Sequence, residues 1–317
     1  MALSEFNKTT FLRLFIYSIS ALVVIILLFP RAFSGQYNGF IIKQPLVPLN
    51  EIHHGGPARD GIPSIDQPQF IPAKQADYLQ PHDRILGLQT ETAYKAYPVR
   101  ILNWHEIVND GDLLISYCPL CGTGMAFKIT DANFGVSGLL YNSDMLLYDR
   151  ESHSLWSQIL SLAISGERKG QKLNAYNIEN TSWSHWLKQH PDTLVLSNRT
   201  GYLRDYTKSP YANYESSSAL YFPVSMRSQR FHPKERVIGI QINNLFKAYP
   251  FVELDKSNGN IIQDEFDGQK IEIHFNSQHR SGSIKLVSGE TLPTITGYWF
   301  AWFAFHPETE VYTHHNK

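Results

Sequence analysis

The chain has 317 residues, of which 43% are hydrophobic, 18% charged and 13% aromatic, a composition that excludes a disordered or low-complexity protein. Its 28 Lys and Arg against 29 Asp and Glu leave a net charge of -1, so no global field draws it to nucleic acid, and no nucleic-acid partner is expected. Two cysteines exclude a disulfide framework, a four-cysteine zinc site and a cysteine-ligated iron–sulfur cluster built by this chain alone.

Leu14 to Phe29 is an uncharged apolar run of 16 residues, with Lys8 and Arg13 before it and Pro30 and Arg31 after it. Counting from Phe11, and letting Arg13 snorkel, gives 19 residues, enough to cross a bilayer core of roughly 30 Å at about 1.5 Å per residue. Residues 1–34 are therefore expected to form a cytoplasmic stub and a single transmembrane helix that anchors the protein to the membrane. A cleaved signal ending near Ala32-Phe33-Ser34 is the alternative, which would leave a secreted protein. No cysteine follows the run closely, which excludes a lipoprotein. Lys8 and Arg13 favour a cytoplasmic N-terminus, leaving the rest of the chain extracytoplasmic (periplasmic), where thiols tend to oxidise.

Residues 35–82 read as an irregular lead-in rich in Pro and Gly. A repeat follows. Asp83 to Pro98, DRILGLQTETAYKAYP, and Glu235 to Pro250, ERVIGIQINNLFKAYP, share seven of sixteen positions without a gap, at an offset of 152. Two copies so far apart predict a duplicated lobe rather than a solenoid, with 83–232 as a first lobe and 233–317 as a second. In each copy an alternating strand runs through a polar turn into Lys-Ala-Tyr-Pro, and a further strand follows: Asp112 to Tyr117 in the first, Lys270 to Phe275 in the second. Thr181 to Pro191 reads as a short capped helix stopped by proline. The expected fold is mainly β with a few short helices (α+β), in two related β-rich lobes after the N-terminal helix.

Only the first lobe carries cysteine. Cys118-Pro119-Leu120-Cys121-Gly122 follows a strand and runs into Thr123-Gly124; the second lobe has Asn276-Ser277-Gln278-His279-Arg280 in the same place. Two cysteines three apart at a strand-to-turn corner can aim both sulfurs at one ion. A thioredoxin-type site instead sets its first sulfur at a helix N-terminus, and the glycines after Cys121 make such a helix unfavourable. Haem attachment requires histidine where Gly122 stands. The pair accordingly has three readings: a metal site, a static local disulfide, or a working dithiol. Further metal ligands would be His105, Met125, Met145 or His153; methionine favours copper(I), and histidine favours zinc or copper.

Phe134 to Gln158 crowds Asn142, Asp144, Tyr148, Asp149, Arg150 and Trp156 around a turn, either lining a pocket or forming a β-hairpin whose Trp156 enters the core. His53-His54 and His314-His315 read as solvated. His105-Glu106 lacks the second histidine of a zincin helix, since Asn109 stands there. Gly135-Val136-Ser137-Gly138 is not a nucleophile elbow, and Gly122-x-Gly124 lacks the third glycine of a dinucleotide loop, so no nucleotide cofactor is expected. No catalytic class follows from these residues.

Asp60-Gly61-Ile62-Pro63, Lys95 to Pro98, Trp104 to Asp110, Tyr117 to Thr123, and Tyr141 to Asp144 through Tyr148-Asp149-Arg150 to Leu155-Trp156-Ser157-Gln158 together resemble one bacterial family, the domain of unknown function 3179 family. The resemblance implies an exported or membrane-anchored protein in which the cysteine pair and the Asn142 to Gln158 stretch belong to the family pattern. It implies no mechanism. The leading expectation is a transition-metal site at Cys118 and Cys121, completed by His105 or Met125; a thiol–disulfide oxidoreductase and a ligand-binding module with a structural disulfide are the alternatives.

Overall fold

The computed structural model describes residues 37–130, 132–257 and 259–314. These residues are mainly β, in five sheets with four short α-helices among them. No helix among them is long and apolar enough to cross a membrane, and the anchor expected in 1–34 lies outside the described residues.

Two of the sheets have matching plans. One runs β13 (Glu179–Ser182), β3 (Arg84–Gln89), β4 (Tyr94–Pro98), β14 (Leu194–Leu196) and β2 (Phe70–Pro72). The other runs β20 (Thr294–Tyr298), β15 (Arg236–Ile242), β16 (Leu245–Pro250) and β21 (Glu310–Val311). In each, the repeated segment is the central hairpin, an antiparallel strand lies outside its first strand, and a parallel strand outside its second. The proline ending each hairpin precedes a helix, α1 (Val99–His105) or α3 (Phe251–Leu254), and its missing N–H is not needed there.

The shared residues have matching jobs. Tyr97 and Tyr249 are buried and donate to Asp110 (2.5 Å) and Asp264 (2.9 Å), the same carboxylates that pair with Lys95 (2.6 Å) and Lys247 (2.7 Å). Gly87 and Gly239 are bare because an indole ring lies on each, Trp186 of α2 (Trp183–Gln189) and Trp302 of α4 (Trp299–Phe305). Both indole N–H groups donate to a threonine at 3.0 Å, Thr193 and Thr309.

Behind each hairpin lies an antiparallel meander. The second-lobe meander is β17 (Ile261–Phe266), β18 (Gln269–Asn276) and β19 (Ser281–Leu286). The first is β5 (Ile107–Asp110), β6 (Leu113–Cys118) and β7 (Thr123–Lys128), with β12 (Asn174–Tyr176) added on the β7 edge. Here alone the chain carries an excursion, β8 (Phe134–Tyr141), β9 (Asp144–Asp149), β10 (Leu155–Ser157) and β11 (Leu162–Ser165), which forms the fifth sheet with β1 (Ile52–His54) of the lead-in. The lead-in is thus woven into the fold through β1 and β2. The two matching sheets are tied to each other's meanders: Tyr298 N–H donates to the Cys121 carbonyl (2.8 Å), and the Arg84 guanidinium reaches the His279 carbonyl (2.6 Å). The core around the cysteines therefore draws on β6, β7, the excursion and α4 at once.

Candidate metal centre

Strand β6 is buried along its whole length and delivers Cys118 at its end. Pro119 to Gly122 then reverse the chain so that Cys118 faces Thr123 across the ladder. Gly122 makes the reversal possible: its φ is +64°, and a Cβ there would lie 2.8 Å from the Tyr298 ring. Gln158 braces the corner, accepting from Thr123 (2.7 Å) and donating to the Ser116 hydroxyl (2.9 Å).

The third donor arrives on the other hairpin. Asn142 and Ser143 both have positive φ, 52° and 63°, the two-residue turn that suits the twist of β8 and β9. The Asn142 side chain donates to the Ala304 carbonyl (3.3 Å) and accepts from Ser225 N–H (2.8 Å), and the Ser143 hydroxyl donates to the Phe222 carbonyl (2.9 Å). So fixed, the turn offers its Ser143 carbonyl to the Cys121 thiol at 3.4 Å and sets Asp144 beside both sulfurs. One carboxylate oxygen and the two Sγ atoms lie within 4.8 Å of one another, and all three residues are fully buried. Asp144 Oδ2 accepts from Ile159 N–H (3.2 Å); Oδ1 is buried and has no partner among the described residues.

Burial dominates the electrostatics. It pushes the Asp144 carboxyl up to about 7 and both thiols above the ordinary range, Cys121 further than Cys118. Glu106, turned inward from the end of α1 with φ 59°, is also buried and pushed up to about 7, first by desolvation, against a hydrogen bond from Tyr211 (3.2 Å), with the Asp144 charge adding to the rise. Four acidic groups thus share one dry region. Burial favours the protonated form of each; a bound divalent ion would favour thiolate and carboxylate instead.

A family model described as a protein of unknown function, DUF3179, matches residues 59–286. The chain belongs to the DUF3179 family. No curated protein and no solved structure matches it. Within the DUF3179 match lie Glu106, Cys118, Cys121 and Asp144.

The structure does not bring the expected histidines to this DUF3179 cysteine pair. His105 is fully buried, but its Nδ1 meets the Pro63 carbonyl at 2.7 Å and its Nε2 the Tyr206 hydroxyl at 2.6 Å, so both ring nitrogens are engaged and neither is left for a metal. The charge of its neighbour Glu106 does reach Cys118, after that of Asp144. His153 is exposed in the turn after β9, with Nδ1 3.3 Å from Arg59, at the opposite end of that strand from Asp144, roughly 17 Å away at about 3.4 Å per residue. Met125 and Met145 are buried in the same apolar cluster as the cysteines. Met145 follows Asp144 directly on β9, so its side chain points to the other face.

Nor do Tyr148, Asp149, Arg150 and Trp156 act as one group around a ligand. Asp149 is buried and accepts from Trp156 Nε1 (2.8 Å) and from Ser152 N–H (2.6 Å), while Trp156 packs in the core. Tyr148 donates to Asp60 (2.5 Å), and Arg150 reaches Asp60 (3.2 Å) and Ser64 (3.0 Å). These contacts clamp the lead-in to the β9 hairpin. Of the residues expected around a pocket, Asp144 joins the cysteines and Asn142 positions it.

Proposed function

We propose that the protein is a membrane-anchored, extracytoplasmic metal-binding protein in which Cys118, Cys121 and Asp144 hold one transition-metal ion, zinc in preference to copper. The observation that carries this reading is one buried cluster of two thiols and the Asp144 carboxylate, whose Oδ1 meets no nitrogen or oxygen donor among the described residues and has the thiols beside it. An orphaned carboxylate oxygen costs several kcal/mol in an apolar setting unless something neutralises it. Zinc bonds of about 2.3 Å to sulfur and 2.0–2.2 Å to oxygen put neighbouring ligands under about 4 Å apart in a tetrahedron, a contraction the group can meet. The carboxylate oxygen favours zinc over copper(I), which two thiolates alone would suit. When bound, the ion would supply the positive charge that lets both thiols and Asp144 shed their protons.

The protein's own residues set the limits of the chemistry. Glu106 takes a hydrogen bond from Tyr211, which engages one of its carboxylate oxygens. Full burial of both thiols, with their ionisation opposed, argues against a working dithiol, which needs an accessible thiolate. Metal analysis of the full chain tests the reading. The wild type should carry close to one equivalent of zinc, and Cys118→Ser, Cys121→Ser and Asp144→Asn should each carry little. Full metal content in Asp144→Asn would refute the donor set, and copper in place of zinc would correct the ion.

The anchor rests on the apolar run from Leu14 to Phe29. It predicts that the protein resists alkaline extraction from membranes and keeps its N-terminus; a mature protein beginning near residue 35 would mean a cleaved signal. The two lobes we attribute to an internal duplication, supported by their matching sheet order, Trp-on-Gly packing and Lys-Asp-Tyr groups. In this reading the β8–β11 excursion, which brings Asp144, and the cysteines were acquired or kept by one copy only.

A further inference from the structure

A cavity of about 290 Å³ opens where the lobes meet, beside the Pro119 turn but separate from the cysteine sulfurs. Two of its walls are equivalent residues of the repeat, Arg84 at the start of β3 and Arg236 at the start of β15. Equivalent arginines from two interlocked hairpins bring like charges together, an arrangement that costs energy unless an anion offsets it.

Neither arginine makes a hydrogen-bonded ion pair among the described residues, although the charges of Glu215 and Glu179 reach Arg84. Arg84 donates to the Asn180 side chain (3.2 Å) and to the carbonyls of Asn180 (2.6 Å), His279 (2.6 Å) and Arg280 (3.1 Å). All are uncharged acceptors, and no carboxylate lies within 4.0 Å among the described residues. Burial and the charge of Arg236 oppose its ionisation. Arg236 has a side chain only 11% exposed; its one counter-charge is Glu215 at 3.7 Å, itself 67% exposed and so weakly coupled. Arg236 has only this longer ion pair, and of the tyrosines that line the same cavity Tyr214 has a buried hydroxyl with no partner among the described residues. The remaining charged walls are already paired, Asp83 with Arg100 (2.7 Å) and Lys208 with Asp205 (3.1 Å). Arg84 spends its donors on those acceptors and contributes charge, so the groups open to a ligand are Arg236 and the lining tyrosines, with the exposed Glu215 carboxylate on the same wall.

We propose that this cavity binds an oxyanion group, carboxylate or phosphoryl, of a small ligand, seated against the Arg236 guanidinium within the field of Arg84, with the lining tyrosines as further donors. Guanidinium forks recognise both groups through paired charge-assisted hydrogen bonds. The site needs no metal, so it stands or falls apart from the reading of Cys118, Cys121 and Asp144.

Calorimetric titration of the full chain with inorganic phosphate and, separately, with acetate, at constant ionic strength, tests it and separates the two chemistries. Saturable binding of at least one anion is expected, weakened roughly tenfold or more in Arg236→Gln and less in Arg236→Lys, which keeps the charge without the fork. The wild-type titration alone decides if a variant misfolds: no saturable binding of either anion overturns the proposal. So does a folded Arg236→Gln that binds as wild type. Repeating the titration after dialysis against a chelator covers the remaining case, since binding that disappears with the metal would assign the anion to the ion and overturn the arginine site.

Discussion

If Asp144 is kept for a cation, replacing it should stabilise the metal-free protein while destroying the site. Asp144→Asn preserves volume and the acceptor for Ile159 N–H. The carboxyl moves from an ordinary 3.8 to about 7 on folding, close to three pH units, which at 1.36 kcal/mol per unit amounts to about 4 kcal/mol of destabilisation once the solution is well above pH 7. Against this, the new amide N–H replaces an unpartnered oxygen and costs about 1–3 kcal/mol. A net gain of about 1–3 kcal/mol is expected at pH 8. The pH dependence has a definite sign. Below pH 4 the carboxyl is protonated in the folded and unfolded chain alike, and its contribution is intact. Between pH 4 and 7 the folded protein keeps a proton that the unfolded chain has released, so wild-type stability falls as pH rises, by up to about 1.4 kcal/mol per pH unit for this group, and Glu106, raised to about 7, adds a second loss of the same sign. Asp144→Asn should remove the first and keep the second in reduced form, since the Asp144 charge is part of what raises Glu106. Urea denaturation of chelator-treated protein at pH 4.5 and pH 8 measures this. A variant less stable than wild type by the same amount at both pH values would refute the argument that a buried, uncompensated carboxyl stands at this position.

Three other outcomes are expected. Both thiols of the chelated, folded protein should react with a disulfide reagent at pH 8 far more slowly than in urea, since burial opposes ionisation of each; equal rates would mean an accessible, working dithiol. Gly87→Ala and Gly239→Ala should each cost about 2–3 kcal/mol in chemical denaturation, because each new Cβ meets a tryptophan ring that its helix cannot withdraw; a cost at only one would count against equivalent packing in the two lobes. Arg150→Ala should lose about 1–2 kcal/mol and raise hydrogen exchange in residues 59–66, since Arg150 ties Asp60 and Ser64 to the β9 hairpin; unchanged exchange there would refute the clamp.

The sequence carried the local architecture well. The Arg84 and Arg236 hairpins, the strands ending at Cys118 and Asn276, the Asn142-Ser143 turn and the helix capped by Ser182 are all set by alternation and turn or cap chemistry within a few residues. The strand at Thr123–Lys128 follows Cys121 where a helix was judged unfavourable. What the pattern could not carry was contact between distant segments. Asp144 follows Asn-Ser and reads as ordinary turn polarity; only the pairing of β8 with β9, and the cover from Ser225 and Ala304, brings it to the sulfurs. Glu106 stands in an incomplete zincin pattern, and burial of a lone glutamate has no sequence signal. His105 looked available as a ligand because its partners, Pro63 and Tyr206, are 42 and 101 residues away. The lead-in's Pro and Gly content concealed that Asp60 and Ser64 anchor it to the fold.

The intact native mass of the full chain is the sharpest test of a metal ion held by Cys118, Cys121 and Asp144. The protein should be purified without added metal or chelator and kept from air, alongside Asp144→Asn. The account predicts a wild-type mass above the dithiol form by one zinc ion and an Asp144→Asn mass without it. A metal-free dithiol, a mass about two daltons lower from a Cys118–Cys121 disulfide, or zinc retained in full by Asp144→Asn would contradict it.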